Sequence, residues 1–334
     1  MQKKVKIAVI GLGFIGITHL QALKTAKNVV LVAVVDVNEA LGKKTAQEYG
    51  VLYYSDIESL CHTQAVDIVD ICVPTWLHED CIIYAAKQGK HILCEKPITF
   101  TMESYQRMVQ AVTAANVKFM VAQVIRFWPE YVRIKELQER GEFGDIRQVA
   151  MRRLCETPNW SAWYSDPQKS GGALYDLMLH DLDFAQYFLG EMRCVYATGT
   201  QSKTGCWNHV LANISFKNGA CASVEACNAA FGHFPFAMAM RVFADKMLAE
   251  YELHAGHNID EIGERALYTY THKAGASKQL IEETDPYTAE IDYFAQCVQQ
   301  NKACDTVSIA SAQNTLRLVL AVKESLETGR VISL

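Results

Sequence analysis

The sequence predicts a two-domain α/β protein, with a doubly wound parallel sheet followed by an α+β domain whose sheet is mainly antiparallel. Its 334 residues suit two domains, each large enough to bury its own core. Continuous apolar runs alternate with helical patterns over the first 125 residues, and strand-like runs joined by short turns begin near residue 146. We therefore predict domains at 1–125 and 126–334.

The first domain is predicted from five runs rich in β-branched residues: VKIAVIG, LVAVVD, VDIVDICV, HILCEKP and VKFMVAQV. The stretches between them carry helical periodicity. Strands that are apolar throughout are typical of a parallel sheet covered by helices on both faces. A doubly wound domain follows from this alternation.

The second domain is predicted from seven strand-like runs: IRQVAMRRL, CVYATGTQS, HVLANISF, ACASVEAC, AMRVFA, MLAEYEL and ALYTYTH. KNGA, between the third and fourth runs, holds the Asn-Gly pair that favours a tight hairpin turn. Helices are expected at 173–189 and 287–300, both against this sheet. A C-terminal helix, within SIASAQNTLRLVLAVKESLETG, is expected to pack back across the domain boundary.

The charge and hydropathy of the sequence limit the classes of partner that the protein is expected to bind. The net charge is −5 and Lys/Arg clusters are absent from the sequence, which argues against nucleic acid. No apolar run reaches the roughly 20 residues of a membrane helix, and the apolar N-terminal run lacks a signal-peptide cleavage site. The eleven cysteines form no CxxC pair, so they are interpreted as buried thiols rather than zinc ligands. We expect a cytoplasmic protein, without a metal, that acts on a small molecule.

A glycine-rich motif, GLGFIG, directly follows the first predicted strand. Gly11 permits a tight turn, Gly13 lets the backbone approach a pyrophosphate, and Gly16 lets helix and strand pack closely. The helix N-terminus offers N–H groups to phosphates. The candidate cofactor-binding residues of this motif are Gly11, Leu12, Gly13, Phe14, Ile15 and Gly16.

Asp36 ends the second predicted strand, 20 residues after Gly16. A carboxylate there can accept hydrogen bonds from both ribose hydroxyls and would repel a 2′-phosphate. This favours NAD over NADP as the cofactor. The alternative is an ordinary strand-end aspartate that starts a turn.

Lys96, in CEKPIT, follows the fourth predicted strand. In open α/β sheets the carboxyl ends of the strands form the ligand crevice, and a lysine there can stabilise a developing alkoxide. Pro97 restricts Lys96 to an extended conformation, through a bond that can be cis, and Glu95 is expected to support the lysine. A surface lysine without a chemical role is the alternative.

PTWLHE, after the third predicted strand, contributes Pro74, Thr75 and His78 as candidate cofactor contacts. Pro74 and Thr75 are expected beside the nicotinamide half of a dinucleotide. His78 could touch cofactor or substrate, or could simply start a helix.

SGGALYDLMLHDLD, residues 170–183, places Asp176, His180 and Asp183 four and three residues apart, hence on one stripe of a helix. An acid and an imidazole there could be a proton-transfer pair, metal ligands or a polar seam. A metal would need Asp183 as a third ligand and finds no second histidine nearby. Tyr131 and Lys135 have the YxxxK spacing of short-chain dehydrogenases, but the TGxxxGxG loop of those enzymes is absent from the sequence.

These motifs together, GLGFIG, Asp36, PTWLH, CEKP, RFWP and SGGALYDLMLHDLD, resemble the glucose-fructose oxidoreductase and inositol dehydrogenase family, Gfo/Idh/MocA, over nearly the whole chain. The resemblance implies a Rossmann domain and an α+β domain with an open, mainly antiparallel sheet, often used for homodimers or homotetramers. It implies that His180 takes a proton from a substrate hydroxyl while hydride passes to nicotinamide, and that Lys96 and Asp176 orient the substrate. Departures from the family pattern are Ser170, before only two glycines, and Met178.

The resemblance also implies a polyhydroxylated substrate: a sugar, sugar acid or cyclitol. Arg126, in RFWP, and the aromatic residues of NWSAWYSDP, Trp160, Trp163 and Tyr164, are candidate substrate contacts. The aromatic residues could instead pack within the second domain. Two alternative functions remain: an NAD-dependent glycoside hydrolase that works by transient oxidation, and a non-catalytic NAD-binding sensor.

Overall fold

The structure is a computed structural model that describes residues 4–157, 162–256 and 262–334. The chain divides into two compact units. Unit 1 holds Met1–Phe127 with Thr284–Gln313, and unit 2 holds Trp128–Glu283 with Asn314–Leu334.

Unit 1 contains a six-stranded sheet in the order β3-β2-β1-β4-β5-β6, and every pair of neighbours is parallel. Its strands are β1 (Val5–Ile10), β2 (Val29–Val35), β3 (Leu52–Tyr54), β4 (Ile68–Ile71), β5 (His91–Glu95) and β6 (Phe119–Ala122). The helices between them are α1 (Phe14–Leu23), α2 (Glu39–Tyr49), α3 (Ile57–Thr63), α4 (His78–Lys87) and α5 (Met102–Ala114). This order confirms the doubly wound, Rossmann-type sheet. The short edge strand β3 was not predicted, because three partly exposed residues carry little periodic signal.

Local sequence explains where these helices begin. Asn38, Asp56 and Thr101 precede α2, α3 and α5, and the side chain of each accepts a backbone N–H from the first turn. The central strands are buried on both faces, as their continuous apolar sequence requires.

A helix from the C-terminal part of the chain completes unit 1. The helix α8 (Pro286–Gln299) buries Ile291, Phe294 and Ala295 in one core with Ile7 of β1. This helix was predicted to lie against the second sheet, and that prediction is wrong. Its apolar face is equally suited to either sheet, so helical periodicity alone could not assign its partner.

Unit 2 contains a nine-stranded sheet in the order β14-β13-β12-β11-β7-β10-β9-β8-β15. Its strands are β7 (Ile146–Glu156), β8 (Met192–Gln201), β9 (Trp207–Phe216), β10 (Cys221–Ala230), β11 (Phe236–Ala244), β12 (Met247–Ala255), β13 (Ile262–Thr271), β14 (Gly275–Lys278) and β15 (Ile332–Ser333). Neighbours are antiparallel except β7 and β10. The open, mainly antiparallel sheet is thereby confirmed, and β9 and β10 meet at the predicted KNGA turn, where Gly219 has φ +89°.

Unit 2 also contains the helices α6 (Pro129–Glu139) and α7 (Leu179–Leu189). The residues of α9 (Ile309–Thr328) divide between the two units at Gln313. In the described part of the chain, no helix is long and apolar enough to cross a membrane.

Phe294→Ala should lower the free energy of unfolding by roughly 3–5 kcal/mol, because a fully buried ring leaves a cavity in the core of unit 1. Chemical denaturation measures the loss, and hydrogen exchange locates it. We expect faster exchange in β1, whereas faster exchange confined to β7–β13 would contradict the observed packing. Gln296→Ala, on the exposed face of the same helix, is the control and should be nearly neutral.

Candidate functional site

The glycine loop between β1 and α1 turns tightly and packs closely against the start of α1. Gly11 has φ +92°, a left-handed conformation that favours glycine. A Cβ at Gly16 would lie 1.9 Å from the Gly11 carbonyl oxygen, so the close approach of helix and loop depends on that glycine. A Cβ at Gly13 would meet nothing within 4 Å. The backbone at Gly13 therefore faces open space at the start of α1, which fits a dinucleotide phosphate.

Asp36 follows β2 and connects two loops. Its Oδ2 accepts the N–H of Leu12 at 2.8 Å, and its Oδ1 accepts the N–H of Asn38 at 2.7 Å. A carboxylate offers about four acceptor positions, so these two bonds leave capacity for hydroxyl groups. Sequence reasoning anticipated the acid but not that it also holds the glycine loop.

The segment after β4 carries Pro74, Thr75 and His78. Thr75 begins a short 3-10 turn, and His78 is buried at the start of α4. The two ring nitrogens of His78 lie 2.9 Å from the Val73 carbonyl oxygen and 3.2 Å from that of Ile98. Burial lowers the pKa of His78. The imidazole thus joins the loops after β4 and β5, and its predicted contact with a cofactor stays a prediction.

Lys96 directly follows β5 and is half-buried. Its bond to Pro97 is cis, as the sequence allowed. Oε2 of Glu95 accepts the main-chain N–H of Lys96 at 2.9 Å, while Oε1 of Glu95 lies 3.0 Å from Nε2 of His19. The expected support of Lys96 by Glu95 is therefore made through the backbone of the lysine.

Arg126 lies in a 3-10 turn after β6 and is 3% exposed. Its guanidinium donates to the Thr306 carbonyl oxygen at 2.6 Å and to Oγ of Ser311 at 2.7 Å. These contacts tie the turn to the chain that precedes and opens α9. They give Arg126 a structural task, and its predicted contact with a substrate stays a prediction.

The helical segment that carries Asp176 is preceded by Gly171 and Gly172, whose φ angles are +68° and +71°. Two consecutive left-handed residues allow a sharp turn of the chain into the helical segment that follows. The next residues, Leu174–Met178, form a π-helical turn before α7 begins. The regular α-helix expected here is therefore widened at Asp176, and a spacing of four no longer fixes the angle between Asp176 and His180. Such turns are frequent at functional sites.

Two buried contacts anchor α7, which carries His180. Arg153 of β7 makes a bidentate ion pair with Asp181, with N–O distances of 3.1 and 3.0 Å, and both side chains are almost fully buried. Oδ1 of Asp183 accepts the hydroxyl of Thr315 at 2.6 Å. Asp183 therefore takes part in helix packing, in line with the polar-seam interpretation. Sequence reasoning missed Arg153, because the pair joins a strand and a helix that lie 28 residues apart.

Two family models match the chain. One, described as an oxidoreductase family with an NAD-binding Rossmann fold, matches residues 5–123, and the other, the GFO/IDH/MocA C-terminal domain, matches residues 131–249. The chain belongs to the Gfo/Idh/MocA family. It is therefore an oxidoreductase with an NAD-binding domain, and the resemblance inferred from the motifs is confirmed.

Relatives in the Gfo/Idh/MocA family span much of the chain. A myo-inositol 2-dehydrogenase of Thermotoga maritima is 28% identical over 98% of each chain. A levoglucosan dehydrogenase of Pseudarthrobacter phenanthrenivorans is 30% identical over 69% of each chain. The crystal structure of a probable dehydrogenase from Thermotoga maritima superposes with a TM-score of 0.82 at 26% identity, covering 98% of each chain.

The aromatic candidates of this Gfo/Idh/MocA chain are described in part. Trp163 and Tyr164 stack on each other, with ring centroids 4.2 Å apart and an angle of 19°. Both rings are half-buried, and each uses one face for the other. Trp160 lies outside the described residues. An aromatic wall for a substrate stays a prediction.

The YxxxK pair takes a different role from that in short-chain dehydrogenases. Tyr131 is fully buried, with its ring against Phe184 and Tyr251, and burial raises its pKa well above the usual range. Nζ of Lys135 lies 4.8 Å from the centre of the Tyr187 ring. Tyr131 therefore belongs to the core of unit 2, whereas Lys135 is half-buried.

Gly13→Ala is expected to weaken the binding of NAD without loss of stability, whereas Gly16→Ala is expected to lower the stability of the fold. At Gly13 a methyl group would meet no atom of the protein within 4 Å, so the melting temperature should hold. The dissociation constant for NAD should rise about tenfold or more, because the methyl group would occupy space that the pyrophosphate needs. At Gly16 the methyl group meets the Gly11 carbonyl, so the melting temperature should fall. Thermal melts and calorimetric titration measure both. Undisturbed NAD binding by a folded Gly13→Ala protein would contradict the assignment of the loop.

Proposed function

We propose that this Gfo/Idh/MocA oxidoreductase is an NAD-dependent dehydrogenase of a polyhydroxylated substrate: a sugar, sugar acid or cyclitol. One observation carries the proposal. The glycine loop, Asp36 and Lys96 follow β1, β2 and β5, so a dinucleotide site and a cationic side chain share the carboxyl edge of one parallel sheet. The names of the inositol and levoglucosan dehydrogenases support the substrate class.

The residues that would hold NAD are the glycine loop for the pyrophosphate, Asp36 for the adenosine ribose, and the Pro74–Thr75 segment for the nicotinamide half. When bound, the nicotinamide supplies the acceptor for the hydride that leaves the substrate carbon. The carboxylate of Asp36 favours hydroxyl donors and repels a phosphate, which supports NAD over NADP.

His180 is proposed as the general base that takes the proton of the substrate hydroxyl at a ring nitrogen, since histidine is the side chain that most often serves as a general base. Lys96 is proposed to hold the same hydroxyl and to stabilise negative charge on its oxygen. Asp176 is proposed to orient the neighbouring hydroxyl. The Arg153–Asp181 ion pair supports this role for His180, because it restrains the helix that carries the base.

His180→Ala should lower kcat by about 10²- to 10⁴-fold with little change in the dissociation constant for NAD, as expected for loss of a general base. Absorbance of NADH across a panel of sugars, sugar acids and inositols identifies the substrate and gives kcat. His272→Ala, at an exposed turn of unit 2, is the control and should keep full activity. Equal loss of activity and NAD affinity in His180→Ala would show a folding defect instead.

Asp36→Asn should weaken NAD binding by about tenfold or more, since hydrogen bonds to a charged group contribute about 1.5–3 kcal/mol each. It should also reduce the preference for NAD over NADP, because the repulsion of a 2′-phosphate is removed. Calorimetric titration with both cofactors measures this. Glu48→Gln, exposed on α2, should change neither value, and tighter binding of NADP than NAD by the unaltered protein would refute the assignment.

The glycoside hydrolase remains the alternative reaction. A hydrolase working by transient oxidation would retain NAD through purification and release no net NADH, which mass spectrometry and the substrate panel distinguish. A sensor would bind NAD without turnover of either kind.

We also propose that the protein is cytoplasmic and forms a homodimer or homotetramer through the nine-stranded sheet. Light scattering of the purified protein tests the oligomeric state.

A further inference from the structure

A buried polar cluster lies next to Lys96 in the sequence and in the fold of unit 1. His19 of α1 is fully buried. Its Nδ1 lies 2.8 Å from Oδ2 of Asp70, on β4, and its Nε2 lies 3.0 Å from Oε1 of Glu95, on β5. Asp70 is also fully buried, and Glu95 is 4% exposed. One imidazole thus joins the helix after the glycine loop to two strands of the sheet.

The two carboxylate neighbours favour a charged imidazole at His19. A neutral histidine donates from only one ring nitrogen, but both nitrogens of His19 face carboxylate oxygens at hydrogen-bond distance. Burial by itself would lower the pKa of His19, but the charge and the hydrogen bond of Asp70 raise the pKa well above its ordinary value of 6.5. Tyr287 of α8 also faces the ring, with centroids 5.6 Å apart, and adds packing.

A metal site is the competing interpretation of these residues. Ligand atoms of His19, Asp70 and Cys72 lie within 4.8 Å of one another. However, Nδ1 of His19 lies 2.8 Å from Oδ2 of Asp70, a hydrogen-bond distance that is shorter than the separation of about 3.4 Å between two ligand atoms of a tetrahedral metal. Both nitrogens of His19 already meet carboxylates. A hydrogen-bonded ion cluster explains the arrangement better.

The cluster reaches Lys96 through Glu95. The carboxylate of Glu95 contacts His19 with one oxygen and accepts the N–H of Lys96 at 2.9 Å with the other. Removing the imidazolium would leave Asp70 and Glu95 buried without a counter-charge, which is strongly unfavourable. The Glu95 carboxylate would then lose the partner of its Oε1, and the acceptor of the Lys96 N–H would no longer be held in place.

We propose that His19 is a positioning residue that acts through Glu95 to fix the main chain of Lys96, and so the place of the lysine ammonium group. The effect on catalysis rests on the function proposed above for Lys96, whereas the effect on the position of Lys96 does not. The cluster also connects α1, which begins at the glycine loop, with the loop that carries the lysine.

The test compares His19→Gln, which keeps one donor and removes the charge, with His91→Gln at the opposite end of β5. Nuclear magnetic resonance of protein labelled with ¹³C-lysine, with Lys96 assigned by loss of its signal in Lys96→Arg, follows the lysine without any substrate. We expect the Lys96 signal to shift or broaden in His19→Gln and to be unchanged in His91→Gln. ¹⁵N-histidine spectra of the unaltered protein should show His19 doubly protonated well above pH 6.5.

With a substrate from the panel, His19→Gln should lower kcat by up to about 10²-fold, the cost of a small misplacement of the lysine, with the KM for NAD nearly unchanged.

The unaltered protein should also be more stable than His19→Gln, and the difference in the free energy of unfolding should have its full value below pH 6.5. The difference should shrink as pH rises through the raised pKa of His19, since the imidazolium is then lost. If His19→Gln does not fold, Asp70→Asn serves in its place and should lower the pKa of His19 and shift the Lys96 signal.

An unchanged Lys96 signal in folded His19→Gln or Asp70→Asn would overturn the proposal, as would a His19 that titrates at its ordinary pKa. Stoichiometric metal in the purified protein, measured by plasma mass spectrometry, would overturn it in favour of the metal site. A displaced Lys96 signal supports it even if no substrate of the panel is oxidised. In that case the proposed dehydrogenase function fails alone.

Discussion

Parallel pairing of the six strands in unit 1 is the constraint on which its candidate site depends. Because all the strands run in one direction, the segments that follow β1, β2, β4 and β5 share one edge of the sheet. The glycine loop, Asp36, the His78 segment and Lys96 come from four separated parts of the sequence, and the sheet alone brings their loops to that edge. The absence of a side chain at Gly16 then lets α1 approach this edge closely.

The polar side chains at this edge of the sheet form hydrogen bonds with the backbone of the loops, in addition to being candidate ligand contacts. Asp36 accepts the amide of Leu12, His78 faces two loop carbonyls, and Glu95 accepts the amide of Lys96. Buried backbone groups need such partners, and each one met by a side chain restrains a loop. Loss of one of these side chains therefore changes the loop as well as the chemistry. This is why conservative variants that keep the shape are more informative here than alanine.

The candidate site was predictable to different degrees. GLGFIG and CEKP follow predicted strands, so local sequence predicts the glycine loop and the position of Lys96, whereas it only allowed the cis form of the Lys96–Pro97 bond. The π turn at Asp176 had no such signal, because periodicity of apolar residues cannot show one extra residue in a turn. The contacts of Arg126 with Thr306 and Ser311, across about 180 residues, also had no local signal, and its contact with a substrate stays a prediction.

The sequence by itself determined the strands of both sheets that are longer than four residues, the turn at KNGA, the glycine loop and the family. These depend on local periodicity and on residues with special backbone freedom, which neighbours along the chain decide. Only the tertiary structure decided that α8 joins unit 1, that Arg153 pairs with Asp181, and that His19 lies between Asp70 and Glu95. Those contacts join distant segments, and their partners are selected by burial, which local sequence does not reveal.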